Sequence, residues 1–341
     1  MALLPIIADE VHVEVGNRRL ATSSRRGPID RDGAAPEFRD VGKGKPLHVV
    51  IDHVYTGKYP KRGGLFGGSA DVALVSGVKD YAVFSASTRA LNLVSRGAKP
   101  QSHLQPNAFE DGTSLILYSP AVMSDSLTLT VEMAVDSFDR GLLDTISSGL
   151  QSAAGIPLML PHAGYLLGAG QILKVAAGLA DALFDGRPAF SITETLNFGL
   201  PGRPLAVADH WLLTHNTALT GLRYQPGKGL IGSDGQLYAG DDPYVVISVD
   251  GAERPELNNF TPTAASAAVL QKFFQMRDRT AASVEAFVEG LQLASDMKLR
   301  RQAEALKARV EGTTDVSARK RLQGELDAIL KNITTEILRP A

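Results

Sequence analysis

Between Asp144 and Asp181 the chain carries a single charged residue, Lys174. The stretch reads TISSGLQSAAGIPLMLPHAGYLLGAGQILKVAAGLA and lies between two regions of strand-like text. A run this poor in charge is suited to burial, in a core or in lipid. Pro157 and Pro161 divide it, because each lacks an N–H and disfavours helix at the residue before it. In the first half Leu143, Ile146 and Leu150 recur at helical spacing. In the second half Leu166, Ile172, Leu173 and Leu179 share a face, with Gly170, Gln171, Lys174 and Gly178 opposite. The pattern predicts an apolar helical hairpin over 141–186. Each half is short for a spanning helix, which needs roughly 20 apolar residues. Gly164, Gly168 and Gly170 would let a helix approach closely, either to a sheet or to a second helix in a membrane. Core packing is the first expectation and membrane insertion the second.

The flanking text is β-rich. Val11–Gly16 alternates. LHVVIDHVY at 47–55, DVALVSG at 71–77, DYAVFSAS at 80–87, TSLILYS at 113–119 and SLTLTVEMAVD at 126–136 read as short strands. Further strands are expected at 189–198, 205–214, 221–224 and 243–250, with turn chemistry at Asp250-Gly251. Residues 21–46 mix Gly, Pro, Ser and both charge signs and read as loop. With 341 residues, 44% of them hydrophobic and 21% charged, the chain can bury a sizeable core.

From Thr263 the pattern becomes helical. Val269, Phe273, Met276, Val284, Phe287, Val288, Leu291, Met297, Leu306 and Val310 recur at helical spacings. Gly312-Thr313-Thr314-Asp315 supplies a break and a new N-cap. Leu322, Leu326, Ile329, Ile333 and Ile337 then form an apolar stripe, expected on a helix of roughly six turns. The expected fold is therefore α+β. An antiparallel β-sandwich core over 1–262 carries the loop-rich segment 21–46 and the hairpin insertion 141–186. A coiled-coil-like helical region covers 263–341.

The chemistry-bearing residues are scattered. Thr56–Ser69, TGKYPKRGGLFGGS, combines glycines with Lys58, Lys61 and Arg62, but it lacks the spacing of a phosphate-binding loop and precedes a strand. It is expected to be an accessible loop whose basic residues can touch a partner. His48 and His53 lie five apart in one strand, a spacing that places them on opposite faces. His210 and His215 repeat the interval. Asp52 or Asp209 could orient a histidine, and Ser69 or Ser191 could act as nucleophile. Asp136 and Asp139 follow one strand, and Asp241 and Asp242 precede another, as turn-forming residues do. Asp242-Pro243-Tyr244-Val245 resembles the start of a strand in C2-type β-sandwiches, and Val135–Arg140 resembles one of their calcium loops. That resemblance would imply Ca²⁺ held by aspartates, although the two fragments occur in reversed order and the aspartate spacing of the second is one residue too long.

A formal net charge of −2 provides no field to steer the protein to nucleic acid, so no specific nucleic-acid binding is expected. The chain has no cysteine, which excludes disulfides and thiolate chemistry. Its first residues lack the basic segment of a secretory signal, and the expected location is cytoplasmic. No cofactor or metal is expected. The leading functional expectation is a non-enzymatic interaction or assembly protein, whose helical regions bind a protein partner or a second copy of the chain. The alternatives are a membrane-active effector that inserts the 141–186 hairpin, and a hydrolase with a dispersed Ser/His/Asp site.

Overall fold

The computed structural model describes residues 2–7, 10–11, 38–59, 70–79, 87–106, 114–136, 189–216, 219–254, 257 and 281–340. The strands are β1 (Ala2–Ile7), β2 (Glu10–Val11), β3 (Leu47–Tyr55), β4 (Ala70–Lys79), β5 (Ser87–Ala98), β6 (His103–Leu104) and β7 (Leu115–Ser119). They continue with β8 (Ser126–Asp136), β9 (Phe190–Asn197), β10 (Asp209–Thr214), β11 (Arg223–Gln225), β12 (Gly229–Ile231) and β13 (Tyr244–Asp250). Two helices follow, α1 (Ala281–Gly312) and α2 (Val316–Asn332).

Among the described residues the strands form two antiparallel sheets. The larger has the order β12-β11-β2-β1-β10-β13-β3-β6, with β7 also paired to β3. The smaller has the order β5-β4-β8-β9. One hydrophobic core joins them: Leu47, Val49 and Ile51 of β3, Trp211 and Leu213 of β10, and Val245, Ile247 and Val249 of β13 meet Leu74 of β4, Leu129, Val131 and Met133 of β8, and Phe190 of β9. The alternate residues of the larger sheet build a second core on its far side. Leu4, Ile6, Tyr55, Leu212, Tyr244 and Val246 pack there with Tyr224 and Leu230 of the β11–β12 hairpin. The larger sheet is thus covered on both faces, which is why β13 reads as a nearly continuous apolar run.

Among the described residues the ladders slip register at four places, and three of these shape this frame. In β3, Ile51 lies opposite Ile247 and His53 opposite Val246, so Asp52 is an extra residue. In β7, Ile116 is the extra residue between Leu115 and Leu117. In β5, Asn92 is the extra residue between Leu91 and Leu93. Asn92 is fully buried, and its amide donates 3.3 Å to the carbonyl of Leu115, tying the edge of the smaller sheet to β7 of the larger.

Several expectations are corrected. Residues 80–86 of the strand expected at 80–87 lie outside the described residues, and a strand that was not expected, β5, runs from Ser87 to Ala98. The opening residues form β1, paired with β10, because Leu4 and Ile6 have a core face to fill. The inserted hairpin at 141–186, with Leu166, Ile172, Leu173 and Leu179, lies outside the described residues, as do 21–37 of the loop segment and 263–280 of the helical region. Among the described residues no helix is long and apolar enough to cross a membrane.

The helices form an antiparallel hairpin. Asp315 caps α2, its carboxylate accepting from the N–H of Ala318 at 2.9 Å. Leu322 and Leu326 are buried against Ala303, Leu306 and Val310 of α1, with Ile329 packed beside them. The stripe outlasts its helix, however. α2 has 17 residues, about 4.7 turns. Ile333 is buried just past its end and Ile337 is 83% exposed. The cause is Asp296, buried on α1, whose carboxylate accepts from the hydroxyl of Thr334 at 3.0 Å and the N–H of Thr335 at 2.7 Å. These bonds draw the chain out of helical geometry. Asn332 then donates to the carbonyl of Ala121 at 2.7 Å, fastening the end of α2 to the β-structure.

This arrangement predicts that Asp296→Ala destabilises the protein by about 1–3 kcal/mol, the cost of leaving buried donors without an acceptor. Urea denaturation followed at a helical circular-dichroism band measures it; an unchanged midpoint would reject the role given to this carboxylate.

Candidate functional site

The bulge at Asp52 has a direct effect on side-chain direction. Leu47, Val49 and Ile51 face the shared core, and without the extra residue His53 and Tyr55 would follow them. Instead Val54 enters that core, while His53 and Tyr55 turn to the far face of the larger sheet. His48, which packs edge-on against Tyr118, lies on that same face beside Val50. The spacing of five therefore does not separate His48 and His53, and that expectation is corrected.

Around His53 a dense polar-aromatic cluster forms. His103 comes from the short edge strand β6, paired to β3 opposite Tyr55. Its Nδ1 lies 3.0 Å from Nε2 of His53, so one ring donates and the other accepts. Tyr244 of β13 stacks on both His53 and Tyr55, with ring centroids 5.9 and 5.1 Å away. Its hydroxyl accepts from the N–H of Leu230 at 2.9 Å. The Tyr55 hydroxyl donates to the carbonyl of Gly240 at 2.8 Å, and Tyr238 closes the side of the stack. Burial, with His103 adding to it, pushes the His53 imidazole down to about 4, and burial lowers His103 as well. Both rings are therefore neutral at pH 7. Nδ1 of His53 is enclosed without a hydrogen-bond partner among the described residues.

Gly229 of β12 roofs the cluster. Its φ is +114°, and a Cβ there would stand 2.6 Å from His53 Nε2, 2.7 Å from Tyr244 Oη and 3.0 Å from His103 Nδ1. Any side chain at 229 would enter the space where these three atoms converge.

A second polar group adjoins the first. Asp52 faces His210 of β10, with Oδ2 3.7 Å from Nε2, too long for a hydrogen bond. The Ser248 hydroxyl donates to Oδ1 of Asp52 at 3.3 Å. Phe38 and Tyr224 each place a ring 5.0 Å from His210. Burial raises the Asp52 carboxyl to about 7, opposed by the Ser248 hydrogen bond, and burial lowers His210 to about 4. At neutral pH this is a partly protonated carboxyl beside a neutral imidazole, not an ion pair.

The other singled-out residues are dispersed. Lys58 is exposed, its ammonium 5.8 Å from the Tyr59 ring, while its backbone N–H donates to the carbonyl of Asp241. Lys61, Arg62 and Ser69 lie outside the described residues. Ser191 donates to Glu132 at 3.5 Å, with no histidine in that contact. Asp209 caps the N–H of His210 with its own carboxylate. Asp242 accepts from the Asn216 amide. Among the described residues no group of three or more histidine, aspartate or glutamate side chains is placed to hold a metal ion. The calcium loops implied by the C2-type resemblance therefore have no counterpart among the described residues, and Asp139 lies outside them. No family model, curated protein or solved structure matches the chain.

Sequence reasoning missed the cluster because its members come from β3, β6, β10, β12 and β13. One signal was present: the alternation Leu47, Val49, Ile51 skips two residues to Val54, and the skipped pair is Asp52-His53.

Two predictions follow from this geometry. Gly229→Ala should cost about 1–3 kcal/mol, the usual penalty for an added group in a filled core; equal denaturation midpoints would show that the roof can lift freely. The Asp52 carboxyl gives a pH dependence. Its folded pKa is raised, so between about pH 4 and 7 the folded protein holds a proton that the unfolded chain has lost, and this contribution to stability falls as pH rises through the window. His53 and His210 act oppositely, their contribution being lost as pH falls from about 6.5 to 4. Asp52→Asn removes only the first effect. The stability of the variant relative to the native protein should therefore rise from pH 5 to pH 8, measured by urea denaturation at both values. A constant difference would show that the carboxyl titrates normally.

Proposed function

We propose that this chain is a non-enzymatic interaction protein, a β-sandwich scaffold that offers its α1–α2 hairpin to a protein partner or to a second copy of itself. One observation carries the reading. Six large apolar side chains are exposed among the described residues, and four of them, Leu293, Met297, Val316 and Ile337, belong to the helical region. α1 uses Ala303, Leu306 and Val310 against α2 and still presents Leu293 and Met297 on its surface. Beside them a shallow groove is lined by Met297, Lys298, Arg301, Gln302 and Ala305, an apolar floor with a basic rim. Apolar positions left outward on a long helix suit assembly better than solvation. The stripe of Leu322 and Leu326 is occupied within the chain, so the proposed contact surface is on α1 and not on that stripe.

The hydrolase alternative draws no support from the Ser248–Asp52–His210 group. Nucleophilic catalysis needs the hydroxyl to donate to the imidazole and the carboxylate to stand behind it. Here the carboxylate lies between the two.

Light scattering coupled to size exclusion tests the proposal. The native protein should run as a dimer or larger at micromolar concentration, and the double variant Leu293→Glu, Met297→Glu should run as a smaller species with an unchanged melting temperature. A native protein that stays monomeric as concentration rises would reject self-assembly through α1.

A further inference from the structure

We propose that His53, His103 and Tyr244 form a binding site for one divalent transition-metal cation of the Zn²⁺ class. The inference is independent of the assembly reading and rests on convergence. Nε2 of His53, Nδ1 of His103 and Oη of Tyr244 all lie within 3.0 Å of a single point beside the Cα of Gly229. Three donor atoms from β3, β6 and β13, far apart in sequence, converge on one point against the bare backbone of residue 229.

The spacing suits the ion. Two imidazole nitrogens on a tetrahedral Zn²⁺, each about 2.0–2.1 Å from the metal, are roughly 3.3 Å apart. His53 Nε2 and His103 Nδ1 are 3.0 Å apart, so a separation of a few tenths of an ångström admits the metal. The cation takes the place of the hydrogen that now bridges the two rings. That hydrogen moves to the other nitrogen of its own ring, so the imidazoles release no proton. Two imidazoles and a phenol oxygen select Zn²⁺, Cu²⁺ or Ni²⁺ over Mg²⁺ and Ca²⁺, which want oxygen ligands. The donors are held from behind. Tyr244 Oη already accepts from the Leu230 N–H, and the Tyr55 ring lies 4.6 Å from that of His103. Entry is from the β6 edge, where His103 is only half-buried. Three protein donors leave a fourth position for water or an exogenous ligand, the arrangement of open zinc sites.

The test uses the full chain, freed of metal by a chelator and dialysed. Calorimetric titration with Zn²⁺ alone should give one equivalent bound with a Kd of roughly micromolar or tighter. His103→Gln, at the half-exposed edge, should weaken this at least about tenfold, since even outer partners of metal ligands carry effects of that size. Titration of the unaltered protein with Co²⁺ gives a readout that does not depend on any variant folding: intense visible bands of a tetrahedral ion are expected. Absence of stoichiometric Zn²⁺ binding, binding that His103→Gln leaves unchanged, or only the faint spectrum of six-coordinate Co²⁺ would each overturn the proposal.

Discussion

One extra residue in β3 organises the interior of this protein. Strand geometry allows a side chain only two directions, and the choice alternates strictly along the chain. Asp52 breaks the alternation once. Before it, the odd-numbered positions feed the core between the sheets; after it, Val54 does so, and His53 and Tyr55 are delivered to the opposite face. Remove the bulge and a histidine would enter an apolar core while Val54 turned toward the tyrosine stack. Both cores therefore depend on a single irregularity in hydrogen bonding, at a site whose own carboxyl is raised by burial.

The second face of the larger sheet differs in kind from the first. The shared core is mainly aliphatic and gains from area alone, at about 25 cal/mol per Å². The far face sets Tyr55, Tyr224, Tyr238, Tyr244, His53, His103 and His210 among its aliphatic residues, and their rings pack at defined angles and their polar atoms need named partners. Such a layer specifies geometry more strictly, because a displaced ring loses a hydrogen bond as well as contact. A short hairpin, β11–β12, can cover so polar a layer because it supplies backbone groups as well as Leu230: the Leu230 N–H reaches Tyr244, and Gly229 presses bare backbone onto the histidines.

What was legible in the sequence follows from this division. β3, β8 and β13 were visible because β-branched residues crowd them, and the helical hairpin was visible because Gly312 and Asp315 mark its turn and Leu322 and Leu326 its seam. The two-residue strand β6 carries too few positions to show a period. The length of α2 was overestimated because periodicity does not register Asp296, a competitor for the backbone nearly forty residues away. The histidine cluster was hidden for a related reason. Its parts lie on five strands, and the faces on which they meet were set by a bulge that depends on partner strands, not on the local text.

Asn92 has a wider consequence. Among the described residues β5, with 12 residues, is an edge strand, and such a strand is a template on which another chain could add itself. By bulging at Asn92 and sending that side chain to the carbonyl of Leu115, the strand bends toward β7 and spends part of its free border within the molecule. A single buried amide thus acts against unwanted strand-to-strand aggregation.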